Sequence, residues 1–455
     1  MKVHRSSSVR RATVTVDGRN LVSHAGTALL AELADRSGLT TAMSAAMSDC
    51  GISWHTHDPG VVLTHLAVAI ADGADCLSDM AVLKEQSELF GSVASVATAW
   101  RSLEATTSQE LRAIPKAIAS AREVIWKLSP PRDLVIDFDA TLVTAHSDKQ
   151  DAAPTYKGGF GFHPLGAWCD TTSEPLAAML RPGNAGANDT DDHLELLDQA
   201  ICSLPVEYRV GHEEGDDKKE VLHEILVRAD SAAASHRFCG ALSDANIDFS
   251  IGYKVNGQVR DALLLVQEED WVRAIEQDGA CRPGAWVYEL TELVDLDKWP
   301  EHTRLICRRE RPHPGAQLSL FDTSEGFRHT CFITNTKTHN AEQLELRHRG
   351  HARVEDRART WKDCGLKNLP FEGYARNEAW LVVTLVAGAL IAWSQLTCFS
   401  GDLAKAEPKS IRYRVLHVAA LLVRRGRTIT LRLDETWPWS SDLANAFYRL
   451  RAAFP

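Results

Sequence analysis

The sequence predicts a mixed α/β protein with more than one folding unit, and three observations lead to this prediction. Its 455 residues exceed what one hydrophobic core usually organises, so two or more domains or a large insertion are expected. Residues 20–128 carry alanine and leucine at helical spacing, whereas apolar β-branched runs begin after Pro130-Pro131. These runs follow the order of three strands and then helix, strand, helix and strand, which predicts a mixed sheet with helices on its faces.

That order is the one expected of a ribonuclease-H-like core, and we predict the core in two parts, residues 131–255 and 337–400. The first part should contain, in order, a strand at 134–143, a hairpin at 162–169 and 175–180, a helix at 189–201, a strand at 221–229, a helix at 232–242 and a strand at 249–255. Residues 256–336 interrupt this pattern with short apolar runs and several prolines, so we predict a β-rich insertion there.

The flanking regions are predicted to be an N-terminal DNA-binding region, residues 1–130, and a basic C-terminal region, residues 401–455. The N-terminal region should be mainly helical, with helices at 27–39, 61–77 and 108–128, the last kinked or broken at Pro115. A helix-turn-helix is possible within 77–103, with its turn at Gly91, although helix pairs joined by a glycine are common. The C-terminal region should end in a strand at 428–433 and a helix at 441–452.

The charge distribution permits a DNA partner although the net charge of −11 argues against one. Lysine and arginine are concentrated in residues 1–19, 347–367 and 405–432, and the last range carries eight of them against Glu407 alone. Such islands form a track for a nucleic-acid backbone or a solvated face.

Other features of the composition indicate the compartment. The ten cysteines are scattered without a C-x-x-C pair, which is typical of reduced thiols in the cytoplasm. The N-terminus has no apolar stretch of the kind found in secretory signals. The apolar run at 380–399 is interpreted as a buried core helix, with a membrane span as the less favoured alternative.

Acidic residues in three separate elements are the main functional signal. Asp137 and Asp139 lie on one face of an apolar strand, where carboxylates are costly to bury unless they are paired or bound to metal. Asp230 follows another apolar strand, at the position where α/β sheets place ligand groups, although an aspartate there is often only a helix N-cap.

The third acid, Glu355, is predicted to lie on an arginine-rich helix. It shares one stripe of that helix with Arg359 and Lys362, while Val354, Ala358 and Trp361 form the apolar stripe that packs on the sheet, and Gly365 ends the helix. A glutamate four residues before an arginine usually gives only surface support. Carboxylates brought together from three elements repel one another unless cations lie between them, which suits a divalent-metal site acting on phosphate esters.

Two other functions are compatible with parts of this pattern. Asp137-x-Asp139-x-Thr141 after an apolar strand is also typical of haloacid-dehalogenase-like phosphatases, in which the first aspartate is the nucleophile. That interpretation leaves Glu355 and its arginine-rich helix without a role. A DNA-binding protein without catalysis is the second alternative, although all three acids are present.

Five motifs occur in one order over most of the chain. They are Asp137 to Thr141; Tyr156-Lys157-Gly158 with Phe162 to Leu165 and Leu180 to Asn184; Arg228 to Ser231; Arg349-Gly350 with Glu355, Lys362, Gly365-Leu366 and Leu369-Pro370; and Asn377 with Ala379 and Trp380. In this order they resemble bacterial insertion-sequence transposases of the Asp-Asp-Glu type, specifically the insertion-sequence thirteen-eighty group. The chain departs from that pattern where His348 and His351 stand in place of a tyrosine and an arginine.

The resemblance implies a metal-dependent endonuclease that cuts DNA at the ends of an insertion sequence and transfers the strand into target DNA. Asp139, Asp230 and Glu355 would be the catalytic residues and would bind Mg²⁺, with Mn²⁺ as a substitute; Asp137 remains an alternative to Asp139. The residues expected to contact DNA are Arg349, Arg353, Arg359 and Lys362. The partners implied are double-stranded DNA, as terminal inverted repeats and target, and a second copy of the chain. A tryptophan of the insertion (Trp271, Trp286 or Trp299) would stack on a flipped base, although each is also a candidate core residue.

Overall fold

The computed structural model describes residues 14–454 apart from 52–56, 187, 214–219, 313–314, 316–317 and 427, and it leaves out the side chains of residues 323–325. The basic residues of the predicted N-terminal island other than Arg19 therefore lie outside the described residues, as does the beginning of the predicted N-terminal region.

A nine-stranded mixed sheet forms the centre of the protein. Its strands are β1 (Leu134–Ala140), β2 (Leu165–Cys169), β3 (Pro175–Met179), β4 (Ile225–Ala229), β5 (Asp248–Tyr253), β6 (Val272–Ile275), β7 (Cys281–Glu289), β8 (Arg304–Glu310) and β9 (Arg328–Thr334). Their spatial order is β6-β7-β8-β9-β5-β4-β1-β2-β3. Strands β1, β2 and β3 are antiparallel neighbours, whereas β1, β4 and β5 run parallel. The order β3-β2-β1-β4-β5 confirms the predicted ribonuclease-H-like core.

Strand β1 lies inside the sheet and is covered on both faces, which explains its nearly continuous apolar sequence. On one face, Phe138 contacts Phe238 of the helix His236–Asp244, with ring centroids 5.9 Å apart. On the other face, Trp168, the cross-strand partner of Asp137, meets Trp361 edge-on at 5.6 Å. Asp137 and Asp139 therefore belong to the face that Trp361 and its helix cover.

The predicted insertion continues the central sheet. Strands β6 to β9 are antiparallel to one another, and β9 pairs with β5 of the core. The same range also contains the helices Gly257–Leu263 and Leu320–Glu325 and short turns at Glu268–Asp270 and Thr291–Leu293. Its four strands therefore extend the core sheet instead of forming a sheet of their own.

Helices dominate the described part of the N-terminal region. They are Thr27–Arg36, Leu39–Ala46, Pro59–Asp72, Leu77–Met80, Ala81–Lys84, Ser87–Phe90, Val96–Glu104 and Ser108–Leu128. The last helix runs through Pro115, so the break considered for that position is not found. Its N-terminus is fixed by a capping box of Thr107 and Glu110, and Ile114, Ile118 and Ile125 of its apolar side are buried. Burial of these isoleucines on both sides of Pro115 stabilises the continuous helix by more than the proline ring destabilises it locally.

The second half of the chain adds the remaining helices. They are Thr190–Cys202 and Val206–Arg209 before β4; Ala341–Arg349, Gly350–Arg353, Val354–Trp361 and Lys362–Leu366 after β9; and then Tyr374–Thr397, Gly401–Lys405, Pro408–Ile411, Arg412–Leu416 and Ser440–Ala453. The strands Ala420–Arg425 and Thr428–Leu433 form an antiparallel pair, to which Leu21–Val22 adds a third strand. Three short strands, Val143–Thr144, Ala153–Pro154 and Phe160–Phe162, form another small sheet.

One helix of the described residues, Tyr374–Thr397, has the length and apolar composition of a membrane span, and 83% of its apolar window is buried within the protein. Pro59–Asp72 and Leu77–Lys84 meet the same criterion only when taken together as one span bent by 98°. The burial of Tyr374–Thr397 is that expected of a core helix.

A buried carboxylate ties the N-terminal helices to the core. Glu174, in the turn before β3, is fully buried and accepts hydrogen bonds from Arg122 Nε, Trp126 Nε1 and Trp393 Nε1, each at 2.7 Å. These partners lie on Ser108–Leu128 and Tyr374–Thr397. Because the charge of Glu174 is both paired and fully hydrogen-bonded, its burial fixes the helices against the hairpin.

Candidate active site

The first two predicted acids lie at the carboxyl ends of adjacent parallel strands. In the register of β1 with β4, Asp137 is opposite Arg228 and Phe138 is opposite Ala229. Continuing this register by one residue brings Asp139 opposite Asp230, and neighbouring strands are separated by about 4.8 Å. The carboxyl edge of the sheet is where folds of this kind place their ligands.

The helix that carries the third acid lies across β1 as the apolar stripe predicted. Val354, Ala358 and Trp361 are buried, and Trp361 Nε1 also donates to Thr384 Oγ1 at 2.8 Å. Glu355 is on the exposed side. Gly365 has φ +93° and a non-helical backbone, which confirms the predicted end of the helix.

Electrostatics link the three acids. Burial raises the pKa of Asp139 from 3.8 to about 6, with further increases from the negative charges of Asp230 and Glu355. His351 and the Ala140 backbone N–H act in the opposite direction. Asp139 therefore lies in the fields of both other carboxylates, and a cation among the three would relieve their repulsion.

Asp137 has a different environment from Asp139. Its carboxylate is fully buried and accepts two hydrogen bonds from Arg228, Nε to Oδ1 at 2.8 Å and Nη2 to Oδ2 at 2.7 Å. His351 Nδ1 lies 2.9 Å from Asp137 Oδ1. An inaccessible carboxylate paired in this way is unsuited to act as a nucleophile, which argues against the phosphatase alternative.

Asp230 does not cap a helix, which had been the simpler interpretation of its position. Its Oδ1 accepts the backbone N–H of Ala232 at 2.9 Å in a local turn. The following helix begins at His236 and is capped by Ser235, whose Oγ accepts the N–H of Phe238 at 3.2 Å. Asp230 is exposed, and its other carboxylate oxygen accepts no hydrogen bond from the residues that the structure describes.

A network of ion pairs holds the glutamate helix against the sheet. Arg228 also donates to Asp170 Oδ2 at 2.8 Å and to the carbonyl of Arg347 at 2.7 Å. Asp170, which follows β2, in turn accepts hydrogen bonds from Nε and Nη2 of Arg353. Asp170 carries no signal in the sequence, because only the tertiary structure brings it beside β1 and the helix.

The two histidines that depart from the family pattern have separate roles. His348 is half-buried, stacks on Phe332 with ring centroids 4.2 Å apart, and lies 3.0 Å from Ser250 Oγ through Nδ1. Burial lowers the pKa of His348 to about 3, so this ring is neutral. His351 instead lies among the acids, bonded to Asp137 and acting on Asp139.

The four basic residues expected to contact DNA differ in their availability. Arg349 donates to Glu276 Oε2 at 3.1 Å and to the Ile275 carbonyl at 2.5 Å, and Arg353 is bound to Asp170. Arg359 is 58% exposed and pairs with Asp356 on the surface. Lys362 is half-buried, and its pKa is lowered by burial and by nearby Lys157 against the attraction of Asp139. Of these four residues, Lys362 is the one whose pKa responds to Asp139.

The tryptophans of the insertion lie in two places. Trp271 and Trp286 both pack against Arg309, at 4.3 and 5.3 Å, in the outer strands of the sheet. Trp299 instead contacts His236 at 4.3 Å and Tyr253 at 5.7 Å. Because His236 begins the helix after Asp230 and Tyr253 ends β5, Trp299 lies at the carboxyl edge of the sheet.

A second group of possible metal ligands lies in the helical region. The ligand atoms of His24, Asp72 and His417 fall within 4.8 Å of one another, a separation that the three predicted acids do not all reach. His24 Nδ1 is 2.6 Å from Asp72 Oδ2, His417 Nε2 is 3.3 Å from Asp72 Oδ1, and Thr27 donates to the same oxygen. Two imidazoles and a carboxylate are donors that zinc accepts, but both carboxylate oxygens here already accept hydrogen bonds. We describe this group as the histidine clasp.

Comparisons with known proteins identify the family of the chain. The family model described as "Transposase DDE domain group 1" matches residues 4–454. The cryo-EM structure of a piggyBac transposase synaptic complex with hairpin DNA is similar to 86% of this chain and 77% of its own, with a TM-score of 0.40 and 10% identity. No curated protein matches the sequence. Since the family model covers almost the whole chain, the protein belongs to the transposases with a DDE domain of group 1.

Proposed function

We propose that the protein is the transposase of a bacterial insertion sequence of the thirteen-eighty group, which cuts DNA at the element's ends and joins the freed strand to target DNA. The observation that carries this proposal is geometric: Asp139 and Asp230 lie at the ends of neighbouring parallel strands, and the helix of Glu355 packs across the same face of β1, so that both other acids act on Asp139. Three carboxylates from β1, the end of β4 and the arginine-rich helix thus share one electrostatic environment.

The donor set fits divalent metal. Asp139, Asp230 and Glu355 would hold two Mg²⁺ ions, or Mn²⁺ in their place, because hard oxygen donors with mutual repulsion favour such cations. Bound there, the ions supply activation of water or a 3′-hydroxyl and stabilisation of the departing oxygen. Asp139 is the preferred ligand from β1, since the carboxylate of Asp137 is occupied by Arg228 and His351.

The chain's own residues would position the DNA. Lys362 interacts with Asp139, and Lys157 lies near Lys362, so both lysines are suited to neutralise phosphates beside the cut. Among the other predicted contacts, Arg359 is better placed for a phosphate than Arg349 or Arg353, because it is 58% exposed and its partners Asp356 and Glu407 are themselves on the surface. Trp299, at the carboxyl edge of the sheet, is the favoured tryptophan for stacking on a flipped base.

Two further expectations belong to this proposal. Transposition requires two element ends to be brought together, so we propose a homodimer on paired ends. Its place would be the bacterial cytoplasm, with the protein bound to the nucleoid.

The test is cleavage of a labelled duplex that contains the DNA flanking this reading frame, in Mg²⁺ or Mn²⁺. We expect the wild-type protein to nick the element end and Glu355→Gln to bind it without cutting, because the substitution removes a ligand charge at nearly constant shape. Asp356→Asn is the matched control, since it removes the adjacent exposed carboxylate on the same helix.

The outcomes separate the candidate functions. Binding without cutting by the wild-type protein in both metals would favour the DNA-binding alternative. Equal loss of cutting in Asp356→Asn and Glu355→Gln would remove the specific role of Glu355. Hydrolysis of p-nitrophenyl phosphate that depends on Asp137 would revive the phosphatase interpretation.

A further inference from the structure

Two antiparallel strands, Ala420–Arg425 and Thr428–Leu433, form a ribbon that packs on the helical region and is here called the basic ribbon. Its strands pair in register from Ala420 opposite Leu433 to Arg425 opposite Thr428. Leu422 is buried, and Leu431 and Leu433 pack against the main core. Because directly opposite residues share a face, the other face carries Arg425 with Thr428, Val423 with Thr430, and Leu421 with Arg432.

The base of the basic ribbon is anchored at several points. Leu21–Val22 pairs with its first strand, and Leu422 N donates to the carbonyl of Asn20 at 2.8 Å. Just before the ribbon, the Val418 carbonyl accepts the N–H of Ala25 at 2.9 Å, and His417 belongs to the histidine clasp. The ribbon is thus presented to the outside on a fixed base.

The charges of the basic ribbon have no partners in the described protein. Arg424, Arg425 and Arg432 are exposed, and none of them forms an ion pair with any acidic residue that the structure describes. Arginines elsewhere are mostly paired, as are Arg228 with Asp137 and Arg304 with Glu289. On a chain with net charge −11, unpaired arginines on one exposed element indicate a ligand that carries the opposite charge.

The spacing of these groups fits duplex DNA. Arg425 lies opposite Thr428, and Thr428 is four residues before Arg432 on the second strand. The two arginines are therefore separated by about 14 Å along the ribbon. The major groove of B-DNA is about 12 Å wide and admits a two-stranded ribbon. The hydroxyls of Thr428 and Thr430 lie on the same face as the two arginines, and hydroxyl and guanidinium groups are common phosphate donors.

We propose that the basic ribbon is a second DNA-binding element, which contacts the phosphate backbone of duplex DNA through Arg425 and Arg432 apart from the catalytic acids. This proposal rests on the proposed transposase function, because DNA is the partner in both. It gives the C-terminal region a role in holding the duplex, while the carboxyl edge of the sheet cuts it.

The test is the salt dependence of binding to a fluorescein-labelled 30-base-pair duplex of random sequence, measured by anisotropy in EDTA. For Arg425→Gln/Arg432→Gln we expect the slope of log K against log[NaCl] to fall in magnitude by about 1.8, at 0.9 for each lost phosphate contact. Extrapolated from 1 M salt, this corresponds to roughly 60-fold weaker binding at 0.1 M. Arg112→Gln/Arg260→Gln is the matched control, since it removes the same charge from exposed arginines on other elements.

A charge-preserving variant guards against a folding defect. Arg425→Lys/Arg432→Lys should keep most of the wild-type slope, because lysine still releases counterions from a phosphate. An unchanged slope in the glutamine variant, or an equal loss in the lysine variant or the control, would overturn the proposal. If the wild-type protein binds duplex DNA but never cuts element ends, the proposed function is contradicted. The role of the basic ribbon in DNA binding is then still decided by the change in the salt-dependence slope.

Discussion

Two substitutions two residues apart on β1 should have opposite effects on stability. Burial and the neighbouring acids raise the pKa of Asp139 to about 6 from 3.8, so the folded state disfavours its ionised form. The free-energy cost of ionising Asp139 in the folded protein is absent below pH 3.8 and reaches its full value above pH 6. The shift corresponds to about 3 kcal/mol at pH 7 and about 1.5 kcal/mol at pH 5. Asp139→Asn should therefore stabilise the metal-free protein by up to those amounts.

Asp137→Asn should instead destabilise the protein. Its carboxylate is fully buried and binds Arg228 through both oxygens, so the substitution leaves a buried guanidinium with one fewer counter-charge. Breaking a buried pair of this kind costs about 3–5 kcal/mol.

The assay is urea unfolding of both variants in EDTA, followed by cleavage of element ends in Mg²⁺. We expect Asp139→Asn to be more stable than the wild type and inactive, and Asp137→Asn to be less stable but active at temperatures where it is folded. Loss of stability in Asp139→Asn would refute the electrostatic reasoning. Loss of cleavage in Asp137→Asn at unchanged stability would identify Asp137 as the ligand.

Three further predictions concern other charged groups. Lys362→Ala should lower the salt-dependence slope of end binding by about 0.9, and an unchanged slope would remove its phosphate contact. Glu174→Gln should destabilise the protein by about 3–5 kcal/mol in urea unfolding, because it leaves a buried arginine unpaired. Glu123→Gln, on the exposed surface, is its control and should change stability by less than about 1 kcal/mol. Burial alone would raise the pKa of Asp72, but hydrogen bonds from His24, His417 and Thr27 outweigh it and lower this pKa from 3.8 to about 2. The ionised carboxylate therefore contributes about 2 kcal/mol to the free energy of unfolding above pH 3.8, and this contribution is lost as pH falls through 2. The hydrogen bond to Asp72 raises the pKa of His417, so the stabilisation from protonated His417 is lost as pH rises above 6.5. The free energy of unfolding of Asp72→Asn should therefore differ most from that of the wild type between about pH 4 and 6.5. A difference that stays constant across pH would contradict this account.

The order of the core elements followed from local patterns in the sequence. The apolar run of β1, the hairpin of β2 and β3 and the helix stop at Gly365 each depend on nearby residues, so they were predicted close to their observed positions. Pro115 shows the limit of such rules, because its local cost was outweighed by burial of the same helix against distant elements.

The candidate site could be assembled from the sequence, but the different environments of its two strand aspartates could not. Alternation along β1 places Asp137 and Asp139 on the same face and cannot distinguish them. Arg228, delivered by the parallel neighbour β4, and His351, delivered from beyond the insertion, make the difference.

The amino-acid sequence by itself determined the ribonuclease-H-like order of strands and helices and the choice of candidate acidic residues, since periodicity and motifs are properties of neighbouring residues. Tertiary structure alone decided that Asp137 is paired with Arg228, whereas the ionised form of Asp139 is disfavoured. It also decided that the arginines of the basic ribbon are exposed and have no ion-pair partner among the described residues. The physical reason is that pairing and burial of a charge depend on groups that lie far apart in the chain and meet only in the folded protein.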